Sequence, residues 1–209
     1  AFAEYNGGLY QRPEVDVVVD DGRSFVRRSE ERYSSIQATL VDTWAASSAG
    51  AFALTENNLY TADAFEEYPT QLKPDGVLSL TRWYGKPPRE TIRLLGLGRE
   101  ALTRMGVPAA EHAAHFYVAG AERMATMLLK RSPFTVEEIA ALNARAKDAR
   151  LKVYFDGGPA TDVGGAGASD PIATYFAADP ETYYAAQTYD ARPPTDDRPF
   201  FFYNVWPPD

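Results

Sequence analysis

Carboxylates follow two strand-like segments of this sequence, and they are the residues best placed to do chemistry. Asp20 and Asp21 come directly after the β-branched run Val15–Val19, and Asp42 follows the apolar run 36–41. A carboxylate can accept hydrogen bonds, hold a cation or take up a proton. Because ligands of open α/β sheets bind beyond the carboxyl ends of the strands, these acids predict a site at that edge.

Asp21 and Asp42 each have an ordinary structural interpretation as well. Asp21 precedes a predicted helix over 23–31, where an aspartate commonly caps the free N–H groups of the first turn. Asp42 can serve as the turn residue at the end of its strand. Capping and ligand contact are compatible, so both interpretations of Asp21 stay open.

Large aromatic residues are the candidates for the wall of a substrate pocket. Trp44, Tyr60 and Trp83 are the predicted pocket residues, with core packing as the alternative for each. His112 and His115 have no acid at a recognisable spacing, so a ligand or base role is not expected. The chain has no cysteine, which excludes disulfides and thiolate ligands, and no metal site is expected.

Strand and helix patterns alternate along the first half of the chain. This alternation predicts an α/β domain with a mostly parallel sheet and helices on both faces, ending in an antiparallel hairpin. Thr135 and Glu138 form a capping box, which marks the best-defined helix start. The predicted strands are 15–19, 36–41, 77–81, 114–118, 125–129 and 151–155, and the predicted helices are 23–31, 55–68, 89–105 and 171–184.

Composition limits the class of protein and its partners. With 209 residues, 45% hydrophobic and 24% charged, the chain is expected to form one globular domain, 1–209. Acidic residues outnumber basic ones by 29 to 21, a net charge of -8, so no nucleic-acid partner is expected. No run approaches the roughly 20 apolar residues that cross a bilayer, and no signal peptide is visible.

Three motifs in order resemble the spermidine synthase-like family: Asp21-Gly22, the strand that ends in Asp42, and the PDGV sequence at 74–77. The run VDVVVDDGRSFVRR…YSSIQATLVDTW…LTENNLYTADAF…LKPDGVLSLTRWY is similar to the second half of such a domain. The ending PPTDDRPFFFYN is similar to synthase-like domains of large bacterial membrane proteins. The resemblance implies the Rossmann-like fold of class I S-adenosylmethionine-dependent methyltransferases. It also implies a cytoplasmic location, alone or as a cytoplasmic domain of a bacterial membrane protein.

The resemblance further implies roles for single residues. Asp21 accepts a hydrogen bond from the adenine amino group, Gly22 lets the backbone approach the nucleoside, and Asp42 is the catalytic carboxylate. The co-substrate is decarboxylated S-adenosylmethionine or S-adenosylmethionine, and the acceptor is a small-molecule amine. An alkyl ammonium has a pKa near about 10, so an ionised carboxylate can hold it and then help to remove its proton. The expected reaction is aminopropyl transfer, as in polyamine biosynthesis.

The sequence also departs from the family. The family's glycine-rich loop and first strands would lie before Ala1, no second acid follows Asp42 within 43–48, and Ser34 stands where the family has an acid. The chain is therefore expected to be an amino-terminally truncated domain that binds the co-substrate poorly and is inactive by itself. Missing strands would leave sheet edges unpaired, which predicts re-pairing of the strands or a homo-oligomer through those edges.

Two other functions fit the same residues. A methyltransferase with another acceptor is favoured by the missing second acid and by Trp44. A non-catalytic ligand-sensing or interaction module of a membrane protein is favoured by the loss of family acids.

The carboxyl-terminal segment carries its own expectations. Thr195–Pro199 is expected to tie down the tail through side-chain hydrogen bonds and an Arg–Asp pair. The aromatic run 200–203 is either buried against the sheet or leads towards a membrane segment.

Overall fold

A computed structural model describes residues 2–41, 56–158 and 170–206 of the chain. Helices and strands alternate through these ranges, with 3₁₀ turns at Leu9–Gln11 and Ala109–His115. The helices are α1 (Phe2–Tyr5), α2 (Gly22–Arg28), α3 (Ala62–Thr70), α4 (Arg89–Arg104), α5 (Val136–Asp148), α6 (Pro171–Ala177) and α7 (Pro180–Ala185). The strands are β1 (Tyr33–Thr39), β2 (Leu72–Trp83), β3 (Phe116–Ala121), β4 (Met124–Lys130) and β5 (Lys152–Phe155).

The described strands form one mixed sheet in the order β1-β2-β4-β3-β5. β1 and β2 are parallel, with Ile36 opposite Leu78, whereas the β2–β4, β4–β3 and β3–β5 pairs are antiparallel. The predicted hairpin is confirmed. The sheet differs from the expected mostly parallel one because the second hairpin strand, β4, inserts between β2 and β3 and is antiparallel to both.

Helices cover both faces of the sheet at β3, as the sequence predicted. Phe116 and Tyr117 are successive strand residues and therefore point to opposite faces. Phe116 packs against Gly98 of α4, and the Tyr117 hydroxyl donates a hydrogen bond to Asn143 of α5 at 3.1 Å. The predicted capping box Thr135–Glu138 is confirmed at the start of α5.

The segment Val15–Val19, which the sequence predicted as a buried strand, is not a strand in the structure. Val17 is 59% exposed, Val18 56% and Val19 98%. A β-branched run forms a strand only where a neighbouring strand completes its hydrogen-bond ladder, and no described strand pairs with this segment. β1 lies at one end of the sheet, and its outer edge pairs with no described strand. Pairing of that edge with a second copy stays a prediction.

Two predicted helices have different bounds in the structure. The helix expected over 55–68 begins at Ala62, because the Thr61 side chain caps it there, and residue 55 lies outside the described residues. The helix expected over 171–184 is two helices, because Asp179 caps a new start at Pro180. The helix predicted over 89–105 is confirmed as α4.

The aromatic run near the carboxyl terminus is part of the core. Phe201 is 1% exposed and Phe202 is 9% exposed, and both pack against Tyr60. Of the two readings of this run, burial is the one that the structure bears out. Among the described helices none is long and apolar enough to cross a membrane.

Candidate functional site

A partly open cavity of about 400 Å³ lies between α2, α3 and the parallel strands β1 and β2. Its volume lies in the range of small-molecule sites, and most of its walls are apolar. β1 and β2 form one wall, through the face of β2 that carries Leu78 and Leu80. The residues that line the cavity include Gly22, Phe25, Val41, Leu59, Tyr60 and Leu80.

The predicted cofactor-binding pair Asp21–Gly22 starts α2, between this cavity and a polar cleft of about 360 Å³. The Asp21 carboxylate accepts a hydrogen bond from the Ser24 backbone N–H at 2.8 Å, which holds the pKa of Asp21 below its usual value. Asp21 is therefore a helix cap, and its contact with a cofactor stays a prediction. Gly22 lines the cavity, where an added Cβ would meet only Leu59 Cδ2, at 3.9 Å.

Arg23 fixes this corner of the molecule to the carboxyl-terminal tail. Its Nη1 and Nη2 donate to the two carboxylate oxygens of Asp196 at 2.7 and 2.9 Å, and its Nε donates to Glu67 at 3.0 Å. The Thr61 hydroxyl donates to the same Asp196 at 2.6 Å. These carboxylates raise the pKa of Arg23. The tail is thus tied down by an Arg–Asp pair, as expected, and the arginine comes from α2.

Tyr60, a predicted pocket residue, does line the cavity and has no exposed surface. Its ring lies 4.7 Å from that of Phe201, centroid to centroid. Its hydroxyl has no hydrogen-bond partner among the described residues, and burial raises the hydroxyl's pKa. Buried hydroxyls are usually satisfied, so the unpaired Tyr60 hydroxyl is an exception among the described residues.

Arg82 is a buried cation next to this wall that the sequence analysis missed. It is 1% exposed, and its Nε donates to Glu90 Oε2 at 2.8 Å. Its guanidinium lies 5.4 Å from the Tyr60 ring centroid and 4.7 Å from that of Phe202. Burial lowers the pKa of Arg82, and Glu90 opposes that shift. The sequence contains a signal for this burial, because Arg82 lies two residues after Leu80 and therefore on the same, buried face of β2.

The structure separates the third predicted pocket residue from the cavity. Successive strand residues point to opposite faces, so Trp83 lies on the face of β2 opposite to Leu80. Asp42 and Trp44 lie outside the described residues. Val41, which directly precedes Asp42 in the sequence, lines the cavity.

The two histidines have structural partners. His112 Nε2 lies 2.9 Å from the Val107 carbonyl oxygen, and His115 Nδ1 lies 2.9 Å from that of Lys130. Both side chains are buried. Within 2–41, 56–158 and 170–206, no group of three or more histidine or acidic residues is arranged to hold a metal ion.

Comparison with known proteins gives no relative for this chain: no family model and no curated protein matches it. The site is therefore described by the residues that line the cavity and by the sequence motifs next to them.

Proposed function

We propose that the chain is part of a spermidine synthase-like transferase and that the nucleoside of its co-substrate binds in the cavity between α2, α3, β1 and β2. One observation carries this proposal: Gly22, Tyr60 and Val41, from three separate parts of the chain, line one cavity of about 400 Å³. Asp21 directly precedes Gly22 at the start of α2, and Asp42 directly follows Val41 in the sequence.

The proposed reaction is aminopropyl transfer from decarboxylated S-adenosylmethionine to an amine. The amine nitrogen attacks the aminopropyl carbon bonded to the sulfonium sulfur. That carbon–sulfur bond breaks with its electron pair going to sulfur, which leaves neutral methylthioadenosine. Because the amine is an ammonium ion at neutral pH, its nitrogen must lose one proton before the attack to free its lone pair, and Asp42 is the carboxylate proposed to accept that proton; the alkylated product keeps its positive charge.

The architecture is consistent with this proposal. The cavity reaches Val41, just beyond the carboxyl end of β1, and ligands of open α/β sheets bind at that end. A parallel strand pair joined to an antiparallel hairpin also agrees with the methyltransferase-type fold that the resemblance implies. The proposal also includes an amine as the acceptor. It further includes a cytoplasmic location, with the chain as a single domain of a bacterial membrane protein.

A methyltransferase is the second candidate. It is favoured by the sequence after Asp42, where no second acid that would anchor a diamine stands within 43–48 and where the aromatic Trp44 is a neighbour. The cavity walls would serve either co-substrate, because both contain the same adenosine.

Competitive binding of the two co-substrates to the protein tests the proposal. Decarboxylated S-adenosylmethionine is expected to bind more tightly than S-adenosylmethionine, and Gly22→Val is expected to weaken both by filling the cavity. Tighter binding of S-adenosylmethionine would select the methyltransferase. Binding unaffected by Gly22→Val would contradict the assignment of the cavity.

A further inference from the structure

A second cleft, of about 210 Å³, is formed by the carboxyl-terminal segment and α4, away from the cavity described above. Three arginines line it, Arg93, Arg192 and Arg198, and one carboxylate, that of Asp190. The cleft is therefore locally cationic in a chain whose net charge is -8. This reversal of sign is the first indication of an anionic ligand.

Arg93 is a buried cation that no carboxylate neutralises directly. It is 4% exposed, and its Nε and Nη1 donate to the backbone carbonyls of Asp190, Phe200 and Phe201. Among the described residues, Arg93 Nη2 has no hydrogen-bond partner and Arg93 forms no ion pair. Burial lowers the pKa of Arg93 to about 10. An anion in the cleft would offset the cost of burying this charge.

The single carboxylate of the cleft is already neutralised. Asp190 accepts hydrogen bonds from Arg192 Nε and Nη2 at 2.9 and 2.7 Å. Arg192 also packs over the Trp206 ring, at 4.9 Å from its centroid. Asp190 therefore repels an entering anion much less than a free carboxylate would.

Arg198 supplies the third cation, and it is uncommitted. Its backbone is fixed by a bridge to Thr195, but its exposed side chain makes no hydrogen bond or ion pair with a described residue. Thr195 and Tyr203 line the same cleft, and their hydroxyls have no hydrogen-bond partner among the described residues. The cleft thus combines the free guanidinium of Arg198, the Arg93 guanidinium with its Nη2 unused, and two residues that carry unpaired hydroxyls.

We propose that this cleft binds a phosphate-type oxyanion, either inorganic phosphate or the phosphate group of a monoester. Guanidinium groups present paired N–H donors that match the oxygens of such anions. The volume of about 210 Å³ accommodates such an anion. The hydrogen bonds from the Arg93 side chain to backbone carbonyls and the restricted backbone of Pro193 and Pro194 hold the lining in place without the ligand. The site is independent of the proposed transferase function.

Calorimetric titration of inorganic phosphate into the chain tests the proposal. We expect saturable one-to-one binding that Arg198→Gln weakens about tenfold or more and Arg198→Lys weakens less, because lysine keeps the charge and loses the paired donors. Arg145→Gln is the matched control, because Arg145 is an 84% exposed arginine on α5 and its replacement changes the net charge equally. Methyl phosphate separates the two sources: tighter binding than inorganic phosphate indicates a monoester.

A stability measurement supplies a second readout. Relative to sodium chloride of equal ionic strength, phosphate is expected to raise the melting temperature of the unmodified chain and of Arg145→Gln, and to raise that of Arg198→Gln much less. No saturable binding of either phosphate, or binding that Arg198→Gln and Arg145→Gln alter equally, would overturn the proposal.

Discussion

Arg23 and Asp196 are 173 positions apart in the sequence and share two hydrogen bonds, of 2.7 and 2.9 Å. The pair joins the start of α2, where Asp21 and Gly22 stand, to the carboxyl-terminal tail. Asp63 accepts from the Asp196 backbone N–H at 2.9 Å and strengthens the junction. One wall of the candidate cavity therefore depends on the far end of the chain.

This junction makes stability sensitive to acid. Hydrogen bonds and ion pairs hold the pKa values of Asp196 and Asp63 below their usual values, so both stabilise the fold above about pH 4, the unfolded-state pKa. That stabilisation is lost as pH falls through the lowered folded-state values. We expect Asp196→Asn to reduce the free energy of unfolding by about 1 kcal/mol at pH 7, because Asp196 is partly exposed, and to flatten its fall between about pH 5 and 2.

Urea unfolding at a series of pH values measures this effect. Asp148→Asn, at a 72% exposed position on α5, is the control and is expected to follow the unmodified chain. An acid slope that Asp196→Asn leaves unchanged would contradict the role given to the junction.

Glu90 neutralises the buried Arg82, and its removal should be costly. Glu90→Gln removes a carboxylate that pairs with Arg82, a cation at 1% exposure, so we expect the free energy of unfolding to fall by about 3 kcal/mol. Glu100→Gln removes an exposed ion pair with Arg104 on the same helix and should cost under about 0.5 kcal/mol. Chemical denaturation of both variants measures the two losses of unfolding free energy. Equal losses would show that the burial of Arg82 does not determine the cost of removing the Glu90 carboxylate.

The Tyr60 hydroxyl should contribute little to stability, whereas the Tyr60 ring should contribute much. Because the hydroxyl has no partner among the described residues, Tyr60→Phe is expected to leave the free energy of unfolding within about 0.5 kcal/mol or to raise it. Tyr60→Ala removes the packed ring and should cost about 3–5 kcal/mol. Thermal unfolding checks both variants. A large loss in Tyr60→Phe would mean that the hydroxyl is satisfied within the fold.

Two glycines should respond in opposite ways to alanine. A Cβ at Gly98 would lie 2.6 Å from ring atoms of the fully buried Phe116, so Gly98→Ala is expected to destabilise by about 1–3 kcal/mol despite alanine's better helix propensity. A Cβ at Gly22 meets only Leu59 at 3.9 Å, so Gly22→Ala should be neutral or stabilise by a few tenths of a kcal/mol. Unfolding curves of the two variants test the packing of α4 and the open space above Gly22.

Local signals in the sequence predicted much of the architecture. The capping box at Thr135 and the hairpin near 116–130 depend on neighbouring residues, and both are confirmed. The run Val15–Val19 has strong β propensity, but a strand also requires a pairing partner, which propensity does not reveal. The insertion of β4 between β2 and β3 is likewise a long-range property.

The candidate site was predicted in part. Gly22 and Tyr60, both predicted site residues, line the same cavity, whereas Trp83 is excluded by the strict alternation of β2. Arg82 was missed because an arginine at a strand end is normally exposed, and only the tertiary packing of Phe202 and Glu90 encloses it.

The most direct test of the central claim is a titration of methylthioadenosine followed by the backbone amide NMR signals of the chain. NMR detects weak as well as tight binding, and methylthioadenosine carries the adenosine common to both candidate co-substrates. We predict saturable shifts centred on Gly22, Leu59 and Tyr60, abolished in Gly22→Val and retained in Arg145→Gln. An absence of saturable shifts at these amides, or equal shifts in Gly22→Val, would contradict nucleoside binding in this cavity.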